Sequence, residues 1–423
     1  MEEQNLSEVL FKPQRSWVET SLISNSGCPL PELSDELQKM QGFMPSWYRS
    51  VNRFYWSWLG GNPLDIEETL ARIAVSRAER SRPELFDTVS EYGPGNWVYE
   101  FSATGQMRVT LAKEAISKGA DPERIAHQYR MASRYFAIAS YPNLKGDVLA
   151  SQSALLCRRA YREIFVHSKQ CGHYSEESFT VNGTKVQGFL HAPDNRALHP
   201  CILMISGYGQ TATDFFRIFN DYMRPSGFAV FIVDMPGIGA CASLPLDENC
   251  SEVICQAALH LKNSVPYIDS SALCLYAGQI SSMAALRMAV MHPDLVKAVI
   301  VNNPVVHELF VNQEVLNMLP LCLRSSIANR LGADASSWDT IIPQLQMLSL
   351  KKQGLLSVSA PCPVPLLLVS DKHNLIIRKD VELLRNTFKT VHHFEKKGSI
   401  FNRASTKVFT EGASFLKETM GLA

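Results

Sequence analysis

The hydrophobic period of the chain changes once along its length. Between about 46 and 169, apolar residues recur at helical spacing, as Ile66 and Leu70 do. Beyond this stretch, short continuous apolar runs alternate with amphipathic segments, which is typical of buried parallel strands separated by helices. The pattern predicts a helical N-terminal domain over 1–174 and an α/β domain with a mostly parallel sheet over 175–423.

Local signals place elements within each half. Asp121-Pro122-Glu123 predicts a helix start, with Asp121 as cap, proline at the first helical position and an acid in the first turn. Asn182-Gly183 separates two β-type runs and predicts a two-residue hairpin. Residues 1–40 are mixed in polarity and predict an extended arm. The predicted strands after the hairpin are 201–206, 228–233, 272–276, 297–302, 366–370 and 391–394, and the predicted helices are 212–225, 251–264, 283–292 and 404–419.

One segment interrupts the alternation of strands and helices. The stretch of about 307–360 is long and partly helical, and it lies between two predicted strands. This position predicts a small helical cap inserted into the α/β domain.

Composition excludes several classes of function. The chain is 46% hydrophobic and 19% charged, as is ordinary for a globular protein. Its 41 basic and 41 acidic residues balance and form no dense basic run, so a nucleic-acid partner is not expected. No apolar run is long enough for a membrane span, and the N-terminus lacks a signal-peptide pattern. The ten cysteines are scattered, which favours free thiols in a reducing compartment, and we expect a cytoplasmic protein.

The segment 271–290 predicts a strand, a sharp turn and a helix. Its turn, Ala277-Gly278-Gln279-Ile280-Ser281, has small residues two places before and two places after Gln279. That spacing is typical of the nucleophile elbow of α/β hydrolases, where strand and helix backbones come close. The central residue is Gln279, whose carboxamide is neither nucleophile nor base, so no acyl-enzyme is expected at this atom. It can still donate a hydrogen bond to a bound carbonyl.

A glycine-containing loop follows the predicted strand 201–206. It reads Gly207-Tyr208-Gly209-Gln210, and two glycines allow close backbone approach. Gly207 and Tyr208 are therefore candidates for binding an oxyanion or a substrate carbonyl through backbone N–H groups. A plain glycine turn is the alternative.

The candidate acid follows the predicted strand 366–370. Asp371 lies slightly before the place where α/β hydrolases carry their acid, and His373 occupies that place. The loop 395–403, where the general base of the fold usually lies, has no histidine. The usual serine–histidine–acid logic therefore lacks members to connect.

Three further polar residues lie near predicted strand or helix ends. Asp234 ends a buried strand, and Asp214 begins a helix that it is expected to cap. His307 follows a strand on the same edge and is a candidate for a displaced base, although a lone histidine is more often structural. No metal-ligand spacing, phosphate loop or dinucleotide fingerprint is present, so neither a metal nor a cofactor is expected.

Short motifs throughout both halves carry a family resemblance. They include Asn5-Leu6-Ser7-Glu8, Trp47-Tyr48-Arg49, Ala71-Arg72-Ile73-Ala74, Asp87-Thr88-Val89, Gly95-Asn96-Trp97, Tyr141-Pro142, Asp234-Met235-Pro236, Pro304-Val305-Val306-His307, Ser349-Leu350-Lys351 and Gln353-Gly354. On these motifs the chain resembles the fermentation-respiration switch protein, or esterase FrsA, family. In that family arginine tends to take the place of Gln279, and glycine the places of Ala277 and Ser281.

The resemblance implies a helical domain on an α/β-hydrolase domain and carboxylesterase activity. It also implies binding to the glucose-specific IIA component of the phosphotransferase system. Two hypotheses therefore stand: an esterase acting on a small ester or carbonyl substrate without the usual triad, or a weakly active or inactive regulatory protein that binds the IIA component. A keto-acid decarboxylase is a third, for which no thiamine or pyridoxal site is visible.

Overall fold

The computed structural model describes residues 43–207, 209–371, 375–396 and 403–422. The predicted arm at 1–40 lies outside them. Helices fill the first half up to His167, and the first strand begins at His173. We call the described residues 43–172 the helical half. Its helices are α1 (Arg53–Trp58), α2 (Pro63–Val75), α3 (Trp97–Ser117), α4 (Pro122–Ser140) and α5 (Val148–His167).

The starts of two helices in the helical half show which local sequence signals determine where a helix begins. The side chain of Asn96 accepts hydrogen bonds from the backbone N–H groups of Val98 and Tyr99, and so caps α3. Helix α4 begins at Pro122, as predicted, but the side chain of Asp121 makes no capping hydrogen bond. The expected cap is therefore wrong in this detail, and proline at the first position is the signal that holds.

An eight-stranded sheet forms the second half, in the order β1-β2-β4-β3-β5-β6-β7-β8. The first two strands form the predicted hairpin around Asn182 and Gly183, and both turn residues have positive φ. Strand β2 pairs antiparallel with β4, and the pairs from β4 to β8 are all parallel. The strands are β1 (His173–Val181), β2 (Thr184–Ala192), β3 (His199–Ile205), β4 (Ala229–Val233), β5 (Ile268–Gly278), β6 (Ala298–Asn302), β7 (Leu366–Asp371) and β8 (Val391–Lys396).

Helices cover both faces of the sheet, because the central strands are apolar on both sides. One face packs on α6 (Glu252–Ser264), α7 (Ser282–Met291) and α12 (Leu375–Thr387). The opposite face packs on α13 (Arg403–Met420) and on the helical segment after β3. The predicted α/β-hydrolase architecture is thus confirmed: a mostly parallel sheet preceded by helices.

The segment after β3 differs from the single helix that was predicted over 212–225. It is a series of short 3-10, α and π turns that runs from Ala212 to Ser226. Pro225 has no N–H for a regular last turn, and Gly227 ends the segment with φ +85°.

The cap insertion lies between β6 and β7, as predicted. Its two ends are joined by a hydrogen bond from the backbone N–H of Leu350 to the carbonyl of Val306, at 3.0 Å. Buried Asp380 on α12 accepts hydrogen bonds from the backbone N–H groups of residues 306–308 and anchors the entry of the cap. The cap helices are α8 (Glu308–Val311), α9 (Gln313–Asn317), α10 (Leu321–Leu331) and α11 (Trp338–Gln346).

None of the helices in the described part of the chain combines the length and the apolar character that crossing a bilayer requires.

Candidate functional site

The elbow keeps the backbone of a nucleophile turn. Strand β5 ends at Gly278, a 3-10 turn covers Gln279–Ser281, and α7 begins directly afterwards. Gln279 has φ +52°, in the left-handed region that a residue with a side chain seldom adopts. Such backbone strain persists where the surrounding structure imposes it, most often at functional turns. The predicted elbow geometry is therefore present, with a glutamine at its centre.

Ser281 belongs to the frame of this turn. Its hydroxyl donates to the carbonyl of Gly278 at 2.8 Å and accepts from the N–H of the same residue at 3.1 Å. The side chain is fully buried. Ser281 thus closes the turn in place of the usual glycine, and its hydroxyl faces the backbone.

The glycine loop, of which the structure describes Gly207, Gly209 and Gln210, runs beside the elbow. A Cβ atom placed on Gly207 would lie 3.5 Å from the carbonyl oxygen of Gly278. The backbone of Gly207 therefore reaches the turn that carries Gln279, which is where an oxyanion-binding amide is expected. Tyr208, the other predicted member of this site, lies outside the described residues.

The side chain of Gln210 lies within the same loop. Its Oε1 accepts a hydrogen bond from the backbone N–H of Gly207 at 3.3 Å. Its Nε2 donates to the hydroxyl of Tyr55 on α1, at 2.5 Å. Burial is the largest cause that raises the pKa of Tyr55, and the charge of Asp214 adds to it, so the phenol stays protonated.

The helical half also contacts this loop region through Arg134 and Tyr141. Arg134 on α4 forms an ion pair with Asp214, and both side chains are buried. The ring of Tyr141 packs so close to Gly209 that a Cβ there would lie 2.5 Å from its Cε2. Gly209 has φ +74°, so glycine is required both for its conformation and for this contact.

The predicted capping role of Asp214 takes the form of a capping box: Thr211 is the N-cap residue, and Asp214 at the third position accepts from the N–H of Thr211 at 2.9 Å. The ion pair with Arg134 was not predicted, because nothing in the local sequence signals a partner 80 residues away in the helical half.

Asp234 lies beneath the glycine loop and is almost fully buried. Its carboxylate accepts from the N–H of Ala212 at 3.0 Å and from the N–H of Ala240 at 2.9 Å. Burial raises its pKa to about 6, although these backbone hydrogen bonds oppose the shift. The contacts join the segments that follow β3 and β4, so they assign Asp234 a framework role beside the site.

Asp371 lies at the end of β7 and is bound within the sheet. Its carboxylate accepts from the side-chain amide of Asn303 at 2.5 Å and forms an ion pair with Lys396 at 3.2 Å. Its backbone N–H donates back to the side chain of Asn303 at 2.8 Å. The predicted acid is therefore engaged by two neighbouring strand ends. His373 lies outside the described residues.

His307 lies at the entry of the cap. Its Nδ1 is 2.8 Å from the hydroxyl of Ser349 at the exit of the cap, so the pair joins the two ends of the insertion. Burial is the largest cause that lowers the pKa of His307, and the charge of Lys351 lowers it further. The neutral ring is the favoured form. The contact of this candidate base thus joins the two ends of the cap insertion and does not involve the elbow.

A second serine–histidine contact was missed by the sequence analysis. The hydroxyl of Ser370 is 2.8 Å from Nε2 of His393 on β8. The parallel register pairs Leu368 with His393 and brings the two residues together. Nothing in either local sequence signals this contact, since it depends on the pairing of two strands.

Among the described residues, no cluster of three or more histidine, cysteine or carboxylate side chains can hold a metal ion. The nine described cysteines are buried and form no disulfide with one another. The site at the elbow thus offers backbone amides and neutral carboxamides, and the nearby Arg134–Asp214 charges compensate each other. Such groups can bind and polarise a carbonyl oxygen.

Comparisons with known proteins place this chain in a family. Residues 1–392 match the family model described as Esterase FrsA-like. The esterase FrsA of Yersinia pestis (strain Pestoides F) is 35% identical over 371 residues, which cover 87% of this chain and 87% of the relative. The esterase FrsA of Yersinia pseudotuberculosis serotype O:1b (strain IP 31758) gives the same values.

Solved structures show the same fold at low sequence identity. The 2,6-dihydroxy-pseudo-oxynicotine hydrolase has a TM-score of 0.67 at 13% identity, covering 86% of this chain and 95% of that one. AbyA5 has a TM-score of 0.64 at 15% identity, covering 85% of this chain and 90% of that one. The solved structures thus show the α/β-hydrolase fold. Because the family model matches residues 1–392 of this chain, the chain belongs to the FrsA-like esterase family.

Proposed function

We propose that this chain hydrolyses small carboxylic esters at the elbow, and that no covalent acyl-enzyme forms there. The observation that carries the proposal is Gln279, which holds the left-handed conformation of an elbow nucleophile at φ +52°. Its carboxamide can donate a hydrogen bond to a carbonyl but cannot attack it. The attacking group is then water: its oxygen bonds to the carbonyl carbon, the ester C–O bond breaks, and the alcohol leaves with a proton from the water.

The glycine loop supports this role. The N–H of Gly207 lies on the backbone that approaches Gly278, where a carbonyl oxygen held by Gln279 develops negative charge during attack. Once the substrate carbonyl is bound to it, a backbone amide needs no further reorganisation as that charge appears. Removal of one such donor typically lowers turnover about 10²- to 10³-fold.

The test is hydrolysis of p-nitrophenyl acetate and butyrate by the purified full chain. We expect turnover that falls in Gln279→Ala, with Gln152→Ala, an exposed glutamine on α5, as the matched control. Gln279→Ser tests the mechanism: its turnover should not exceed that of the wild type, because a serine without a positioned base gains no acyl-enzyme chemistry. Turnover equal in the wild type and in Gln279→Ala would remove the proposal.

A second candidate function is regulation by binding the glucose-specific IIA component. This candidate is favoured because the groups that catalysis would use already have partners. Asp371 is bound by Lys396 and Asn303, and the N–H of Gly207 donates to Gln210. The family resemblance names the partner. Titration calorimetry with the dephosphorylated IIA protein should then give a dissociation constant of about 1 μM or lower. The phosphorylated IIA protein is the control, and no heat with either form would end this candidate.

The nine buried free thiols fit a protein that works in the reducing cytoplasm, and we include that location in the proposal.

A further inference from the structure

Within the glycine loop, the backbone amide of Gly207 is already hydrogen-bonded to a side chain of the same loop. The N–H of Gly207 donates to Oε1 of Gln210 at 3.3 Å, and the N–H of Gln210 donates to the carbonyl of Gly207 at 3.2 Å. The two residues therefore bond each other through backbone and side chain. In this arrangement the carboxamide oxygen of Gln210 occupies the hydrogen bond that a substrate carbonyl would take.

The helical half fixes the other end of the same carboxamide. Nε2 of Gln210 donates to the hydroxyl of Tyr55, and the ring of Tyr55 stacks on Trp58 with a centroid separation of 6.2 Å. Burial keeps this phenol protonated by raising its pKa, so the contact persists across the ordinary pH range. The orientation of Gln210 is thus set from another domain.

We propose that Gln210 is a positioning residue that closes the Gly207 amide in the unliganded protein, and that Tyr55 holds it closed. The inference rests on the proposed function, because it assumes that the substrate carbonyl binds at this amide. A carbonyl ligand must displace Oε1 of Gln210 to reach the N–H. Binding of the ester is therefore coupled to the Tyr55 contact and hence to the position of the helical half.

The coupling extends to the cap. Tyr141, which packs on Gly209, precedes Pro142, whose carbonyl accepts from Arg330 of α10 at 2.9 Å. The backbone of Lys145 exchanges two hydrogen bonds with the side chain of Asn329, at 2.8 and 2.9 Å. The helical half thus contacts both the loop and the cap, which places the Tyr55–Gln210 contact and the cap contacts on the same half of the molecule.

The experiment reads the amide itself. In protein labelled with ¹⁵N-glycine, the Gly207 signal is assigned by its loss in Gly207→Ala. Gln210→Ala should speed hydrogen exchange of this amide by about three- to tenfold and lower the KM for p-nitrophenyl butyrate by a similar factor. Tyr55→Phe should shift both quantities in the same direction by a smaller factor, and Gln152→Ala should leave both unchanged.

The outcomes separate this inference from the proposed function. An unchanged Gly207 amide in Gln210→Ala overturns the inference, whatever the ester turnover. A faster amide with an unchanged KM also overturns it, because the amide is then not in competition with the substrate. A faster amide in a protein that hydrolyses no ester overturns the proposed function and leaves the closed amide in place.

Discussion

The polar side chains at the carboxyl ends of the parallel strands have different partners at two places. Next to the elbow they are bound by residues of the helical half, whereas at the ends of β7 and β8, the far end, they are bound by residues of the sheet itself. Near the elbow, Asp214 pairs with Arg134 and Gln210 bonds to Tyr55, and both partners lie on helices of the helical half. At the far end, Asp371 is bound within the sheet, by the strand ends of β6 and β8.

The difference between the two ends shows which candidate site residues depend on contacts from outside the sheet. At the far end a carboxylate is present, but strand-end partners already engage it. At the elbow the backbone turn is present without a nucleophilic side chain, and its polar neighbours are bound by residues of the helical half. The elbow end is therefore a contact region between the helical half and the sheet as well as a candidate site, and variants at the two ends should behave differently.

The largest expected effect is at the buried ion pair of the elbow end. Arg134→Met leaves the buried carboxylate of Asp214 without its partner, so the free energy of unfolding in urea should fall by about 3–5 kcal/mol. Arg124→Met, an exposed position on the same helix, is the control. The double variant Arg134→Met/Asp214→Asn should recover much of the loss. A loss in Arg134→Met no larger than that of Arg124→Met would show that this interface is not held by the pair.

A pH effect comes next, at Asp234 below the loop. Because burial raises its pKa in the folded protein to about 6, the folded state keeps a proton that the unfolded state releases near pH 4. The contribution of this group to stability therefore falls as pH rises from about 4 to 6, by about 3 kcal/mol. Urea unfolding of wild type and Asp234→Asn at several pH values isolates it. Parallel curves for the two proteins would contradict the assignment.

At the far end, Asp371→Ala should act on stability. It removes one charged hydrogen bond and one ion pair, so the free energy of unfolding should fall by about 2 kcal/mol. Ester turnover at a temperature where the variant is folded should stay within about threefold of wild type. A catalytic acid would behave in the opposite way, with turnover reduced by about 10²- to 10⁴-fold. Lys396→Met, which removes the same ion pair, is the matched variant.

The smallest effect compares two residues with the same backbone angle. Gln279 at the elbow and Asn303 at the far end both have φ +52°. Glycine at either position relieves backbone strain of about 0.5–1 kcal/mol. Asn303→Gly also loses its hydrogen bonds with Asp371, so it should lower the free energy of unfolding while ester turnover by the folded variant is kept. Gln279→Gly removes the donor at the elbow, so its ester turnover should fall by about 10²-fold. Thermal unfolding and ester turnover are measured for both variants, and a loss of turnover in Asn303→Gly but not in Gln279→Gly would contradict the comparison.

The elbow could be predicted from sequence because its constraints are local. A strand, small residues at Ala277 and Ser281, and a helix follow each other within one segment. The cap position and the hairpin at Asn182-Gly183 were predicted for the same reason. What each candidate side chain binds could not be predicted, because it depends on segments far apart in sequence.

Asp371 shows that limit. Its place directly after the predicted strand 366–370 was found from the sequence, but its partners come from the ends of β6 and β8 through the strand register. Gln210 shows the same limit at the elbow: the loop was predicted from its glycines, whereas the contact with Tyr55 depends on how the helical half packs against the loop. The sequence therefore predicts the positions of the candidate groups along the chain, and packing between distant segments decides which of these groups are already bound.

The most direct test of the central claim is intact-protein mass spectrometry during ester hydrolysis. The wild-type protein is sampled while it consumes p-nitrophenyl butyrate, and separately after incubation with a fluorophosphonate. Hydrolysis by water at an elbow with Gln279 predicts that the ester is consumed while the protein mass stays unchanged in both samples. A butyryl or phosphonyl adduct on any serine, formed at the rate of turnover, would contradict the account.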